Sequence, residues 1–135
     1  MKEFILGQNE LEILCKNLPN EGIVLLKGDL ASGKTTLVKA LAKFKGSKDM
    51  VSSPTFSLLQ CYESGEGKIY HYDIYNDGFI GLLQRGLCEN LNEQGLHLIE
   101  WGDENLEIYL QKIGLKSSCV KITNYENKRK YEVYE

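Results

Sequence analysis

Between an apolar run, Ile23-Val24-Leu25-Leu26, and a helical pattern, Leu37-Val38-Lys39-Ala40-Leu41, lies Gly28-Asp29-Leu30-Ala31-Ser32-Gly33-Lys34-Thr35. This is a full match to the phosphate-binding loop pattern, and it constrains the fold because the loop must leave a strand and open a helix. It places a nucleoside triphosphate along residues 28 to 36, so that Thr36 closes the binding segment. Glycines let successive backbone N–H groups turn inward around a phosphate, and the following helix presents the positive end of its dipole. Lys34 supplies a point charge to the β- and γ-phosphates, and the Thr35 hydroxyl is a Mg²⁺ ligand in this pattern.

The pattern along the rest of the chain is that of alternating strands and helices. Phe4 to Leu6 reads as a strand, and Asn9 with Glu12 resembles a cap before a helix with Leu11, Leu14, Cys15 and Leu18 on one face. The helix after the loop is expected to bury Leu37, Leu41 and Phe44 and to stop at Gly46. A polar connection around Ser53-Pro54-Thr55 follows, then two strands, Leu58 to Tyr62 and Lys68 to Asp73, joined by the Ser64-Gly65-Glu66-Gly67 turn. Phe79 to Leu91 reads as partly helical, Leu96 to Glu100 as a strand, and Glu104 to Ile113 as a helix. Val120 to Tyr125 and Tyr131 to Tyr134 form a closing hairpin. The expected fold is a single α/β domain over residues 1–135, a three-layer sandwich of the P-loop NTPase type. Its central sheet is mainly parallel, with antiparallel hairpin additions.

Composition narrows the function classes. A net charge of −3, with Lys128-Arg129-Lys130 the one dense basic run, gives no broad electrostatic footprint for nucleic acid, so contact with RNA is expected through a partner. No apolar run approaches the ~20 residues of a bilayer span, and Phe4-Ile5-Leu6 is too short for a signal-peptide core. Cys15, Cys61, Cys88 and Cys119 are scattered without a Cys-x-x-Cys pair, which fits reduced thiols in a cytoplasm.

Hydrolysis needs an acidic group near the metal and something to orient water. In Ile69-Tyr70-His71-Tyr72-Asp73, alternation puts Ile69, His71 and Asp73 on one face; in Leu96-His97-Leu98-Ile99-Glu100, Leu96, Leu98 and Glu100 share one. Both acids end their strands, and both reach the phosphate loop if those strands run parallel to Ile23–Leu26. Thr55 is either a γ-phosphate sensor on a polar loop or part of a Pro-Thr turn. Trp101 either packs on the nucleotide or belongs to the core. His71 is read as orienting its neighbours, and His97 joins it in no metal spacing.

Four segments together, Gly28-Asp29-Leu30 through Gly33-Lys34-Thr35-Thr36, Ser53-Pro54-Thr55-Phe56, His71-Tyr72-Asp73-Ile74-Tyr75 and Ile99-Glu100-Trp101, resemble the TsaE (YjeE) family of small bacterial ATPases. That family is required for threonylcarbamoyladenosine synthesis on tRNA. The resemblance implies that Lys34 and the loop residues Gly28, Asp29, Leu30, Ala31, Ser32, Gly33, Thr35 and Thr36 bind ATP. It further implies that Thr35 and Asp73 organise Mg²⁺, and that Glu100 serves metal or water positioning near the γ-phosphate. Thr55 would lie on a switch-like loop and Trp101 beside the nucleotide; Arg129 falls where the family touches the base or a partner. The implied partners are TsaB and TsaD, the second of which modifies adenosine 37, with tRNA met only through that complex. Ala31-Ser32, Asn76 and Gly102 depart from the family's commoner Gly-Ala, Arg and Pro. The competing readings are a small-molecule or nucleoside kinase, disfavoured because Arg85 and Arg129 are the only arginines available for a lid, and a nucleotide-gated binding module without catalysis. The chain carries no Asn-Lys-x-Asp segment of the kind that reads guanine.

Overall fold

A computed structural model describes residues 1–29, 32–51, 58–65, 67–76 and 78–135. Leu30, Ala31, Glu66 and the Ser53-Pro54-Thr55 connection lie outside the described residues. The strands are β1 (Lys2–Leu6), β2 (Gly22–Lys27), β3 (Leu59–Ser64), β4 (Gly67–Asp73), β5 (Leu96–Glu100), β6 (Ser117–Tyr125) and β7 (Lys128–Tyr134). The helices are α1 (Leu11–Cys15), α2 (Lys34–Phe44), α3 (Gly78–Gln84) and α4 (Glu104–Lys112). Among the described residues the strands form one sheet in the order β1-β7-β6-β2-β5-β4-β3.

The four central strands, β6-β2-β5-β4, are mutually parallel, and the outer pairings β1 with β7, β7 with β6 and β4 with β3 are antiparallel. β2 lies in the middle because Ile23-Val24-Leu25-Leu26 is apolar on both faces, as a doubly covered strand must be. Val24 and Leu26 face Leu14, Leu37 and Leu41 of α1 and α2, while Ile23 and Leu25 face Phe79, Leu82, Leu106 and Leu110 of α3 and α4. The sheet is therefore the middle of three layers. Parallel pairing also aligns Leu26, Glu100 and Asp73 in one row at the carboxyl edge, which meets the condition on the two acidic strand ends.

Two local expectations are corrected. The chain turns into α1 through a 3₁₀ turn, Gln8–Glu10, where the backbone N–H of Gly7 donates to Glu10 Oε1 at 2.8 Å. The reciprocal pair is thus Gly7 and Glu10, not Asn9 and Glu12, because the helical winding starts earlier in the tighter form. In α2 the buried stripe is Lys34, Leu37, Val38, Leu41 and Ala42, and Phe44 is 40% exposed. At about 100° per residue Phe44 sits roughly 90° from the centre of that stripe.

Candidate functional site

The site forms where β2 hands over to α2. Gly28 admits no side chain, since a Cβ there would come within 2.7 Å of the Ile122 carbonyl oxygen on β6. Gly33 is in the left-handed region at φ 101° and immediately precedes α2. Gly33, the N-cap residue of α2, has no side chain to cap it, so among the described residues no N-cap side chain takes up the first N–H groups of the helix. By contrast α4 is capped by Asp103, whose Oδ1 accepts from Leu106 N at 2.8 Å. An uncapped helix end beside a glycine turn is a site for anionic oxygen.

Lys34 is 4% exposed. Its ammonium donates to the carbonyls of Gly28 (2.7 Å) and Asp29 (2.8 Å) and to Ser32 Oγ (3.3 Å), and it lies 3.8 Å from the centre of the Trp101 ring. Burial pushes its pKa below the usual lysine range, opposed by the negative charges of Glu100, Asp73 and Asp29. The Trp101 ring also tilts against Tyr75 at 4.6 Å, and its backbone is held at φ 66° by a hydrogen bond from its N–H to the Leu26 carbonyl. A tryptophan at positive φ is a strained placement, retained here where the ring meets the cation.

In the first turn of α2, Thr35 Oγ1 donates to the Glu100 carboxylate, 2.8 Å from Oε2 and 3.0 Å from Oε1. Glu100 is 3% exposed, and His71 Nε2 reaches the same Oε2 at 2.5 Å. His71 thus makes a direct contact with Glu100, on the strand next to its own. Asp73 stands in register beside Glu100 on the adjacent strand and accepts from Tyr75 N at 3.0 Å. Among the described residues no cluster of three or more His, Cys, Asp or Glu could enclose a metal. The oxygen set of Thr35, Glu100 and Asp73 suits Mg²⁺, a cation that takes few protein oxygens and fills its shell with water and phosphate.

Beside the loop opens a cleft of about 1100 Å³, lined by Gly28, Asp29, Ser32 and Trp101 on one side and by Lys121 and Asn124 of β6 on the other. Lys27 and Glu107, paired at 2.8 Å, also line it. Its volume is that of a small-molecule site. Arg129 reaches the loop from β7: a Cβ on Gly33 would overlap its guanidinium. The structure therefore gathers Gly28, Asp29, Ser32, Gly33, Lys34, Thr35, Asp73, Glu100, Trp101 and Arg129 around one point, with Thr36 following on α2. Thr55, Leu30 and Ala31 lie outside the described residues. Sequence reasoning missed Tyr62, which bonds His71, and the cleft residues Lys121 and Asn124. The Ser64–Gly67 turn sets a register that puts Tyr62 diagonal to His71, which was a usable signal.

Comparison with known proteins supplies the lineage. The family model for "Threonylcarbamoyl adenosine biosynthesis protein TsaE" matches residues 7–131. A tRNA threonylcarbamoyladenosine biosynthesis protein TsaE of Rickettsia prowazekii is 40% identical over 71% of this chain and 67% of its own. That of Aquifex aeolicus is 34% identical over 99% of this chain and 96% of its own. In fold, the crystal structure of YdiB from Bacillus subtilis matches with a TM-score of 0.59 over 98% of this chain and 84% of that one, at 23% identity. Among the described residues no helix is long and apolar enough to cross a membrane. On the span of the family match and the identity to these relatives, the chain belongs to the TsaE family of tRNA threonylcarbamoyladenosine biosynthesis proteins.

Proposed function

We propose that this chain is a P-loop ATPase that binds and hydrolyses Mg-ATP in support of tRNA N6-threonylcarbamoyladenosine synthesis. The observation that carries this reading is the contact of Thr35 with the buried Glu100, beside the Lys34 ammonium and the uncapped start of α2. In this reading the α2 amides and the backbone of Gly28 to Thr36 hold the phosphates. Lys34 exchanges its carbonyl partners for phosphate oxygens, and Arg129 adds a second cation across Gly33. Thr35, Asp73 and Glu100 hold Mg²⁺, which when bound neutralises charge on the β- and γ-phosphate oxygens. Glu100 also orients the attacking water, Thr55 senses the γ-phosphate, and Trp101 shields the reacting end from solvent.

A lone domain need not complete its transition-state stabilisation, so turnover is expected to be slow alone and faster with TsaB and TsaD, in the cytoplasm, with tRNA met through that complex. Calorimetry with ATP, with and without Mg²⁺, tests binding; phosphate release with and without the two partners tests hydrolysis. Lys34→Ala is expected to weaken ATP binding by about 100-fold or more, whereas Glu100→Ala lowers turnover far more than affinity. Absence of Mg²⁺-dependent ATP binding by the folded wild type would overturn the reading.

A further inference from the structure

Next to Glu100 the sheet holds a largely buried string of polar groups. His71, with no measurable exposure, places Nε2 on Glu100 Oε2 and Nδ1 3.1 Å from the Tyr62 hydroxyl. That hydroxyl also lies 2.7 Å from Gln60 Oε1. Gln60, Tyr62, His71 and Glu100 come from three neighbouring strands, β3, β4 and β5, and project to the face that α2 covers. Every buried side-chain nitrogen and oxygen among the described residues has a partner, those of this string included.

A carboxylate only accepts hydrogen bonds, so the His71 contact requires hydrogen on Nε2, and the Tyr62 hydroxyl, which has a single proton to give, lies against the other ring nitrogen and Gln60 Oε1 together. A carboxylate can rotate about its last bond within a broad torsional well. Thr35 spans both oxygens of Glu100 and so constrains that rotation weakly, while His71 grips one oxygen from the rigid sheet. We propose that His71, locked by Tyr62, is a positioning residue that sets the plane of the Glu100 carboxylate toward Thr35 and the phosphate end of the site. This role rests on the ATPase reading above. It differs from simple cohesion of the strands, because a cohesive contact would affect stability and leave the balance between binding and turnover untouched.

The test uses the full chain, with TsaB and TsaD present for turnover, and the variants His71→Leu, His71→Gln and Tyr62→Phe. His71→Leu is expected to lower kcat by about 10–100-fold and to raise the Mg²⁺ concentration needed for half-maximal turnover. ATP affinity measured in chelator should stay within about twofold, since the phosphate-binding amides and Lys34 are untouched. His71→Gln, whose amide nitrogen can donate to Glu100, should recover most of the loss; Tyr62→Phe should lose activity in the same direction, by about tenfold or less. A readout free of activity is the downfield proton resonance of the His71 Nε2–H in metal-free protein. It should be present in wild type and displaced in Glu100→Gln. Folded His71→Leu with wild-type kcat and Mg²⁺ dependence, or His71→Gln no better than His71→Leu, overturns the proposal. If His71→Leu does not fold, Tyr62→Phe decides, and unchanged kcat with an unchanged His71 signal overturns it. A wild type without Mg²⁺-dependent turnover removes the ATPase reading itself and this role with it, an outcome recognisable because no substitution is involved.

Discussion

Replacing Thr35 by valine isolates the contact on which the site is built. Valine keeps the β-branched shape at the start of α2 and removes the hydroxyl that donates to Glu100 at 2.8 and 3.0 Å. A hydrogen bond to a charged acceptor contributes about 1.5–3 kcal/mol. Thr35 is only partly buried, so water can replace some of what is lost, and the lower part of the range, about 1.5–2 kcal/mol, applies. Against a total stability of about 5–15 kcal/mol the variant should remain folded. The assay is urea unfolding in chelator without nucleotide, so that ligand linkage does not enter. Thr35→Ser keeps the hydroxyl and should cost less than about 1 kcal/mol. In a double-mutant cycle with Glu100→Gln the two losses should be non-additive by about 1 kcal/mol or more. Loss below about 0.5 kcal/mol for Thr35→Val, or additivity within about 0.5 kcal/mol, would refute the reasoning, because the hydroxyl would then contribute nothing through Glu100.

Further predictions concern the frame around the site. His97 is buried between Tyr72, whose hydroxyl meets its Nδ1 at 2.7 Å, and the Glu93 carbonyl, 2.8 Å from its Nε2, with the Tyr70 ring stacked on it at 4.4 Å. Burial lowers its pKa below the ordinary 6.5, so below about pH 6.5 the unfolded chain takes up a proton that the folded chain refuses. Stability should fall as pH drops below 6.5, by up to about 1.4 kcal/mol per pH unit from this group, and level off once the folded ring is also protonated. Urea unfolding of His97→Gln should show a flatter profile between pH 6.5 and 5, and matching slopes would exclude the mechanism. Asp103→Ala should destabilise by about 1–2 kcal/mol in the same assay, since this one carboxylate accepts from Leu106 N of α4 and from Phe79 N of α3. Gly33→Ala should cost about 1–2 kcal/mol through its positive φ, and part of that loss should be relieved by adding Arg129→Ala, which clears the guanidinium lying against it.

Much of this molecule was legible as a linear pattern. The strand–turn–helix around Gly28 to Thr35, the β3–β4 and β6–β7 hairpins, and the placing of Asp73 and Glu100 at strand ends follow from apolar alternation, turn residues and a motif within a few residues of one another. The start of α1 was less legible, because Asn9 with Glu12 and Gly7 with Glu10 are competing local solutions, and the winding of the first turn chooses between them. Phe44 is exposed for a different reason: it lies close to Leu37 in angle but about 90° from the centre of the full buried stripe, so it falls at that stripe's edge.

From its residues alone the chain dictates a strand, a glycine-bearing turn and a helix, with acidic residues closing two other strands, because hydrogen-bond geometry and burial periodicity act over short separations. Folding decides that β4, β5 and β2 run in one direction, so that Thr35 meets Glu100 across a sequence separation of 65, and that β7 returns Arg129 to Gly33. Alternation states which face a residue presents and never which strand lies next to it. Strand order comes from the packing of two helical layers on opposite faces, and the Gln60–Tyr62–His71–Glu100 string exists only once that order is set.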